Sequence, residues 1–103
     1  MQTHKAKRVE IIIEAPMERR LRRALEAAEV TGYTVLPVLA GSGRSGSWTR
    51  EGQVSRAAGM VAFVCIIRPE RLDGLLDAAF GVVESHIGVV TISDCDVLRA
   101  ERF

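Results

Sequence analysis

The residues best suited to bind an anion follow one another in a short segment, Gly41-Ser42-Gly43-Arg44-Ser45. An arginine offers a planar fork for phosphate or carboxylate. Glycines leave adjacent backbone N–H groups free to form a concave, anion-binding nest. The pattern is compatible with a small-anion site that has Ser42, Arg44 and Ser45 as its polar contacts. The same glycines also fit ordinary loop punctuation, and the sequence leaves both interpretations open.

Side chains that could catalyse a reaction are few. His4 falls in a predicted polar tail and His86 in a predicted turn, and no carboxylate is placed to orient either of them. Cys65 lies inside an apolar run, where a free thiol packs as a small hydrophobe. The sequence has no Cys-x-x-Cys and no Cys/His cluster, so neither a disulfide nor a metal site is expected. We therefore expect a binding protein and not an enzyme, with no cofactor required.

Composition narrows the class of protein further. The chain has 103 residues, of which 48% are hydrophobic, enough for one packed domain. A formal net charge of +1 and 5% aromatic residues give no reason to expect nucleic acid as a partner. The N-terminus is polar, and no apolar stretch is long enough to span a bilayer. These features predict a cytoplasmic protein that is not embedded in a membrane.

Hydrophobic periodicity predicts two similar halves, each a strand, a proline-initiated helix and a second strand. The predicted strands are Arg8–Glu14, Tyr33–Leu39, Met60–Ile67 and Ile87–Ser93, with helices opening at Pro16 and Pro69. Thr31 and Gly32 are expected to end the first helix, with Gly32 as a left-handed cap. Pro37 removes a donor from its strand, which indicates a sheet edge or an irregular stretch.

Three segments show neither the helical nor the strand repeat of hydrophobic residues. Residues 1–7 read as a flexible tail, and residues 94–103 as a short polar C-terminal segment with room for one helical turn. Residues 40–59 contain five glycines and no hydrophobic repeat, which predicts a long mobile loop. The order βαββαβ predicts an α+β, ferredoxin-like domain over residues 1–103, with the long loop between its second and third strands. Its sheet would have one open face, which suggests packing against other subunits.

The sequence resembles the PII signalling family over residues 8–103. Thr31-Gly32-Tyr33-Thr34-Val35 looks like the Thr-Gly-x-Thr-Val turn of that family, and Gly41-Ser42-Gly43-Arg44 looks like the Gly-x-Gly-Arg that opens its T-loop. The long loop follows at the matching place, so residues 40–59 correspond to the T-loop. Residues 97–102 look like the family's arginine-containing C-terminal segment.

The resemblance implies a homotrimer that binds adenine nucleotides between subunits and docks its T-loop onto a partner protein. It implies a set of nucleotide-binding residues: Thr31, Gly32, Val38, Gly41, Gly43, Arg44, Gly88, Arg99 and Arg102. In the T-loop, Trp48 and Arg50 are the candidates for docking onto a transporter or a carboxysome-related protein. Trp48 is equally compatible with a local packing anchor.

Several departures from the family pattern bear on the ligand. Residues 84–89 carry no counterpart of the family's B-loop lysine, the T-loop has no tyrosine, and Ser45 and Val61 replace two residues of the 2-oxoglutarate site. The sequence is more similar to the PII-like branch linked to inorganic carbon, which includes carboxysome-associated members. The missing B-loop lysine predicts that ADP or AMP binds at least as well as ATP and is the favoured ligand. The resemblance to this branch implies bicarbonate as a co-ligand and a signal of carbon status. The alternative is a ferredoxin-like module that binds a small metabolite and no nucleotide.

Overall fold

The four strands of the main sheet and the two proline-initiated helices follow one another along the chain in the order that the sequence predicts. The computed structural model describes residues 1–43, 46–49, 59–84 and 88–99. Each α-helix is preceded by a single 3-10 turn, Ala15–Met17 or Pro69–Arg71, where the missing proline N–H costs no hydrogen bond. The elements are β1 (His4–Glu14), α1 (Glu18–Ala27), β2 (Tyr33–Val38), β3 (Ala40–Gly43), β4 (Gly46–Thr49), β5 (Met60–Ile67), α2 (Leu72–Val83) and β6 (Val89–Val97).

Four of the strands form one antiparallel sheet in the order β2-β5-β1-β6. The predicted α+β, ferredoxin-like βαββαβ fold is confirmed by this arrangement. Pro37 lies in β2, which is an edge strand, so its missing N–H interrupts no inner ladder. No helix among the described residues is long and apolar enough to cross a membrane.

The core lies between one face of the sheet and the two helices. β1 and β5 supply alternate residues to it, because successive side chains of a strand point to opposite faces. α1 contributes Leu21 and Leu25, and α2 contributes Leu75, Ala79 and Val82. Phe63 of β5 is fully buried and stacks on Tyr33 of β2, with ring centroids 5.8 Å apart. The opposite face of the sheet carries no helix among the described residues.

The predicted tail at residues 1–7 is wrong for residues 4–7, because β1 begins at His4. Its first residues pair with the end of β6, and Ala6 opposite Cys95 is only 1% exposed. Lys5 forms an ion pair with Asp96 at 3.2 Å, and Lys7 forms one with Asp94. These cross-strand pairs join two polar stretches that carry no apolar repeat of their own. For the same reason Asp94 to Val97 extend β6, where the sequence predicted a polar tail.

The segment 40–59 also contains more regular structure than its composition predicts. β3 and β4 form a two-stranded antiparallel hairpin, with Gly41 opposite Trp48 and Ser42 opposite Ser47. The expected lack of regular structure is therefore wrong for residues 40–43 and 46–49. The predicted mobility of the loop concerns mainly residues 44–45 and 50–58, which lie outside the described residues.

The end of α1 differs from the predicted cap. α1 ends at Ala27, and the left-handed residue is Glu29, with φ 61°, not Gly32. The N–H of Val30 donates to the carbonyl of Leu25 at 2.8 Å, which closes the last turn in the manner of a Schellman motif. Gly32 instead meets a steric demand: a Cβ there would lie 3.0 Å from the carbonyl oxygen of Ile66.

Candidate functional site

The predicted ligand-binding residues lie at opposite ends of the four-stranded sheet. We call the end where β2 begins and β5 finishes the cleft end, and the end where β2 finishes and β5 begins the loop end. Thr31 and Gly32 lie at the cleft end, just before β2, whereas Val38 and the hairpin that begins at Ala40 lie at the loop end. At about 3.3 Å per residue, β2 alone separates the two groups by roughly 17 Å.

The cleft end holds an open cavity of about 380 Å³ between the end of α1 and the start of α2. Gly32 brings its two walls together, because its carbonyl oxygen accepts a hydrogen bond from the N–H of Ile66 at 3.2 Å. Thr31 lies beside it and is exposed. The residues that line the cavity are Ala28, Glu29, Val30, Thr31, Gly32, Ile66, Ile67, Arg68, Glu70, Arg71 and Gly74.

The chemistry of this cleft is mixed. Alanine, valine and isoleucine side chains provide apolar contacts, while two carboxylates and two guanidinium groups provide polar ones. Arg71 faces Glu29 across the cavity at 3.7 Å, an exposed pair that contributes little to stability. Such a lining offers both apolar and polar contacts to a small ligand.

Sequence reasoning missed Arg68 and Arg71 as lining residues of the cleft. Arg68 precedes and Arg71 ends the 3-10 turn Pro69–Arg71 that leads into α2, far along the chain from Thr31. The two halves of the domain lie side by side, so the start of α2 meets the end of α1. A local signal did exist, since both halves open a helix with proline, but it does not say which ends will be neighbours.

The loop end presents the glycine-containing hairpin. Val38 ends β2 opposite Met60, and Gly41, Ser42 and Gly43 are extended in β3. An extended backbone differs from the concave nest that the sequence predicts. In a two-stranded ladder, however, every second residue points its N–H away from the partner strand. The outer edge of β3 therefore still offers backbone donors to an anion.

Gly88 lies immediately before β6 and close to a helix. A Cβ at this position would come 2.6 Å from Cγ1 of Val83 and 3.4 Å from the carbonyl oxygen of Ile12. A side chain at position 88 would therefore require Val83 or the backbone to shift. This steric role is sufficient to explain the glycine, and a contact to nucleotide stays a prediction.

The remaining predicted site residues are placed only in part. Arg99 follows β6 and is exposed, on the strand edge opposite to β2. Trp48 belongs to β4, but its side chain lies outside the described residues. The other predicted contacts also lie outside them: Arg44, Ser45, Arg50 and Arg102. Within the described residues no group of three His, Cys, Asp or Glu side chains is placed to hold a metal ion.

The open face of the sheet carries an apolar row that crosses all four strands. Leu36, Ala62, Ile12 and Val89 are paired in register across β2, β5, β1 and β6. Leu36 is 46% exposed and Val89 57%, high values for large apolar side chains aligned in this way. Nearer the cleft end the same face becomes polar, where Arg8 and Glu10 pair at 3.0 Å.

A ferredoxin-like domain with a glycine-containing hairpin at one end of its sheet and a cleft at the other defines the class of fold. The chain belongs to the family of nitrogen regulatory protein P-II, whose sequence profile matches residues 6–102. The resemblance predicted from the sequence motifs is thereby confirmed. A comparison with curated proteins finds no match.

Among solved structures the chain is similar to CPII, a nitrogen regulatory PII-like protein from Thiomonas intermedia K12. The CPII structure bound to ADP, AMP and bicarbonate is 26% identical, with a TM-score of 0.88 over 99% of this chain and 96% of that chain. The structure bound to ADP and bicarbonate is 28% identical, with a TM-score of 0.83 over 99% and 97%. The apo form is 25% identical, with a TM-score of 0.71 over 93% and 95%.

Proposed function

We propose that this protein is a regulatory sensor, not a catalyst, which binds an adenine nucleotide between neighbouring subunits. The observation that carries the proposal is the separation of the candidate residues: Thr31 and Gly32 lie at one end of the sheet, and Gly41 and Gly43 at the other. Within one chain, β2 separates the two groups by roughly 17 Å. A subunit interface can bring the cleft end of one chain to the loop end of the next. The adenine nucleotides bound to CPII support the choice of ligand.

The proposed assembly is a homotrimer. The apolar row across the open sheet face supports subunit contacts there, because Leu36 and Val89 at its two ends are exposed in the isolated chain. In a closed ring of three subunits with this face inside, the helices would lie on the outside. Each contact would join one edge of a sheet to the other edge of the neighbouring sheet.

The proposed ligand preference is ADP or AMP over ATP, with bicarbonate as co-ligand. Residues 84–89 contain no lysine, so no ammonium group from this segment can compensate a terminal phosphate. Loss of one charge-assisted contact of this kind costs about 1.5–3 kcal/mol. Bicarbonate would bind at Ser42, Arg44 and Ser45, and the binding of bicarbonate to CPII supports this assignment.

The proposed output is a change in the segment 40–59, which would dock onto a transporter or a carboxysome-related protein through Trp48 and Arg50. This signal would report carbon status from a cytoplasmic location.

Calorimetric titration with ATP, ADP and AMP, each with and without bicarbonate, tests ligand choice. A preference for ATP without a bicarbonate effect would refute the preference. Absence of binding by all three nucleotides would favour the alternative, a small-metabolite module.

Mixed trimers test whether the site is shared between subunits. Thr31→Trp fills the cleft end and Gly41→Trp obstructs the loop end, so neither variant alone should bind nucleotide. After the two variants are unfolded and refolded together, some interfaces join an intact cleft to an intact hairpin. Recovery of binding in the mixture, with native mass by sedimentation, supports a shared site. No recovery in correctly assembled mixtures would place the site within one chain.

A further inference from the structure

The outer surface of the helix layer is divided into a basic and an acidic half. The exposed side of α1 carries four arginines, Arg19, Arg20, Arg22 and Arg23. The exposed side of α2 carries no cation between Leu72 and Val83, but has Asp73 and Asp77, followed by Glu84. The two helices pack side by side on one face of the sheet, so the two halves adjoin.

The central charges of each half have no partner within the described part of the chain. Arg22 pairs with Glu18 on its own helix at 2.7 Å. The other arginines of α1 form no ion pair with any described residue, and neither do the acidic residues of α2. Two helices with opposite charges thus lie next to each other without neutralising one another, because both sets point away from the core.

The acidic half has a further feature that the isolated chain does not explain. Asp73, Asp77, Phe80 and Glu84 follow at spacings of four, three and four residues, which places them on one stripe of α2. Phe80, within this stripe, is 64% exposed. An exposed aromatic ring with a carboxylate one helical turn before it and one turn after it is a suitable surface for arginines, which stack on ring faces through their guanidinium groups.

Two glycines lie beside this stripe. A Cβ at Gly74 or Gly81 would meet no atom within 4 Å, so no contact inside the chain requires a glycine at either position. Each glycine costs a helix about 1 kcal/mol relative to alanine. Gly74 also lines the cleft, whereas Gly81 does not, so Gly81 is the position whose glycine is best explained by another backbone or long side chain approaching this side of α2 closely.

We infer that the helix layer is an interface for a second copy of this chain, in which α1 of each copy lies on α2 of the other. A two-fold axis that lies in the plane of contact, parallel to the helices and midway between α1 and α2, produces this pairing. It places the basic half of one copy opposite the acidic half of the other. The arginines of α1 then face the stripe of α2 twice, once on each side of the axis. A two-fold axis perpendicular to the helices would place α1 on α1 and is opposed by like charges.

The surface available for this contact is small. Two helices about 15–18 Å long, with axes about 10 Å apart, present roughly 400 Å² per copy, about half of a standard interface. The association is therefore weak, concentration-dependent and sensitive to salt. It does not rest on the proposed nucleotide site, because the helix layer lies on the face of the sheet opposite the proposed trimer contacts.

Sedimentation velocity over a wide concentration range tests the inference directly. At low salt the wild-type protein should shift reversibly to species larger than its basic assembly. At about 1 M salt, where the Debye length is about 3 Å, that shift should disappear. A single sedimenting species at all concentrations and salt conditions would overturn the inference, whatever the mass of the basic assembly.

Charge reversal identifies the helices that take part. Arg19→Glu with Arg23→Glu makes both helices acidic, and Asp73→Arg with Asp77→Arg makes both basic. Each double variant should lose the larger species while keeping the circular dichroism of the wild type. An equal mixture of the two should regain them, because each helix then faces the opposite charge. Lack of recovery in the mixture, or larger species in either variant alone, would overturn the pairing.

Discussion

The hydroxyl of Tyr33 donates a hydrogen bond to Oε1 of Glu26 at 2.6 Å. This bond ties the first residue of β2 to the last turn of α1, on the rim of the domain next to Gly32. The hydrogen bond to Glu26 is the main reason why the pKa of Tyr33 is raised above its usual value, since the phenol must stay protonated to donate. Loss of the Tyr33 proton at alkaline pH therefore removes this contact between α1 and β2.

We predict that the free energy of unfolding falls less between neutral and alkaline pH in Tyr33→Phe than in the wild type. A raised pKa in the folded state stabilises the fold at pH values below the unfolded pKa of about 10, and this contribution is lost as the pH rises through the folded value. The variant should cost about 0.5–1.5 kcal/mol near neutral pH, because the ring stack on Phe63 is retained and one hydrogen bond is lost.

Urea unfolding at a series of pH values from neutral to strongly alkaline checks this prediction. Cys65 also titrates in this range, so the difference between wild type and variant isolates the contribution of Tyr33. If the free energies of unfolding of wild type and variant differ by the same amount at every pH, ionisation of Tyr33 does not affect stability and the prediction is contradicted.

Glu29→Gly should stabilise the protein. Glu29 holds a left-handed backbone with φ 61°, which costs a residue with a side chain roughly 1–2 kcal/mol. Glycine removes that cost but brings more entropy to the unfolded chain, so the net gain should be about 0.5–1 kcal/mol. The control is Glu29→Ala, which keeps the backbone cost and removes the same exposed pair with Arg71. If both variants change the urea midpoint equally, the left-handed backbone is not the cause.

Gly88→Ala should destabilise the fold by about 1–3 kcal/mol through overpacking against Val83. Val83 is buried and cannot move aside easily. A double-mutant cycle with Val83→Ala checks the mechanism, since removal of Cγ1 should relieve the clash and give a coupling of opposite sign to the single losses. Additive losses in the cycle would indicate that the clash is with another group.

Gly74→Ala and Gly81→Ala should have opposite effects on folding and on association. Each should stabilise the fold by about 0.5–1 kcal/mol, because alanine favours the helix and meets open space. Each should also weaken the larger assembly expected from the helix layer. Thermal unfolding and sedimentation velocity on the same samples separate the two effects. Unchanged association in both variants would show that neither glycine lies in the contact.

Cys65 should be inert to thiol reagents in the native protein. Burial raises the pKa of its thiol to about 11, so very little thiolate is present near neutral pH. Cys95 is only partly buried and serves as the internal comparison. Mass spectrometry after brief alkylation should find label on Cys95 alone, and on both cysteines in denaturant. Rapid native labelling of Cys65 would mean that the core opens far more readily than its packing implies.

Much of this protein could be inferred from its sequence because the decisive signals are local. The alternation of Val9, Ile11 and Ile13 determines the inner face of a strand, and Pro16 and Pro69 mark where helices begin. The βαββαβ order follows from such signals, as does the family, whose motifs are short runs of adjacent residues. Gly41 to Gly43 stand out for the same reason.

Only the tertiary structure decided which residues are neighbours across the sheet. From the sequence alone, Lys5 and Lys7 are predicted to lie in a tail, whereas in the structure they pair with Asp96 and Asp94. The reason is that a polar strand is stabilised by its partner strand and not by its own hydrophobic pattern. The division of the candidate site between two ends of the sheet is likewise a consequence of strand direction, which no short motif contains. The sequence by itself determined the two helices, the apolar parts of the four sheet strands and the family, while the three-dimensional pairing placed Thr31 and Gly41 at opposite ends of the sheet.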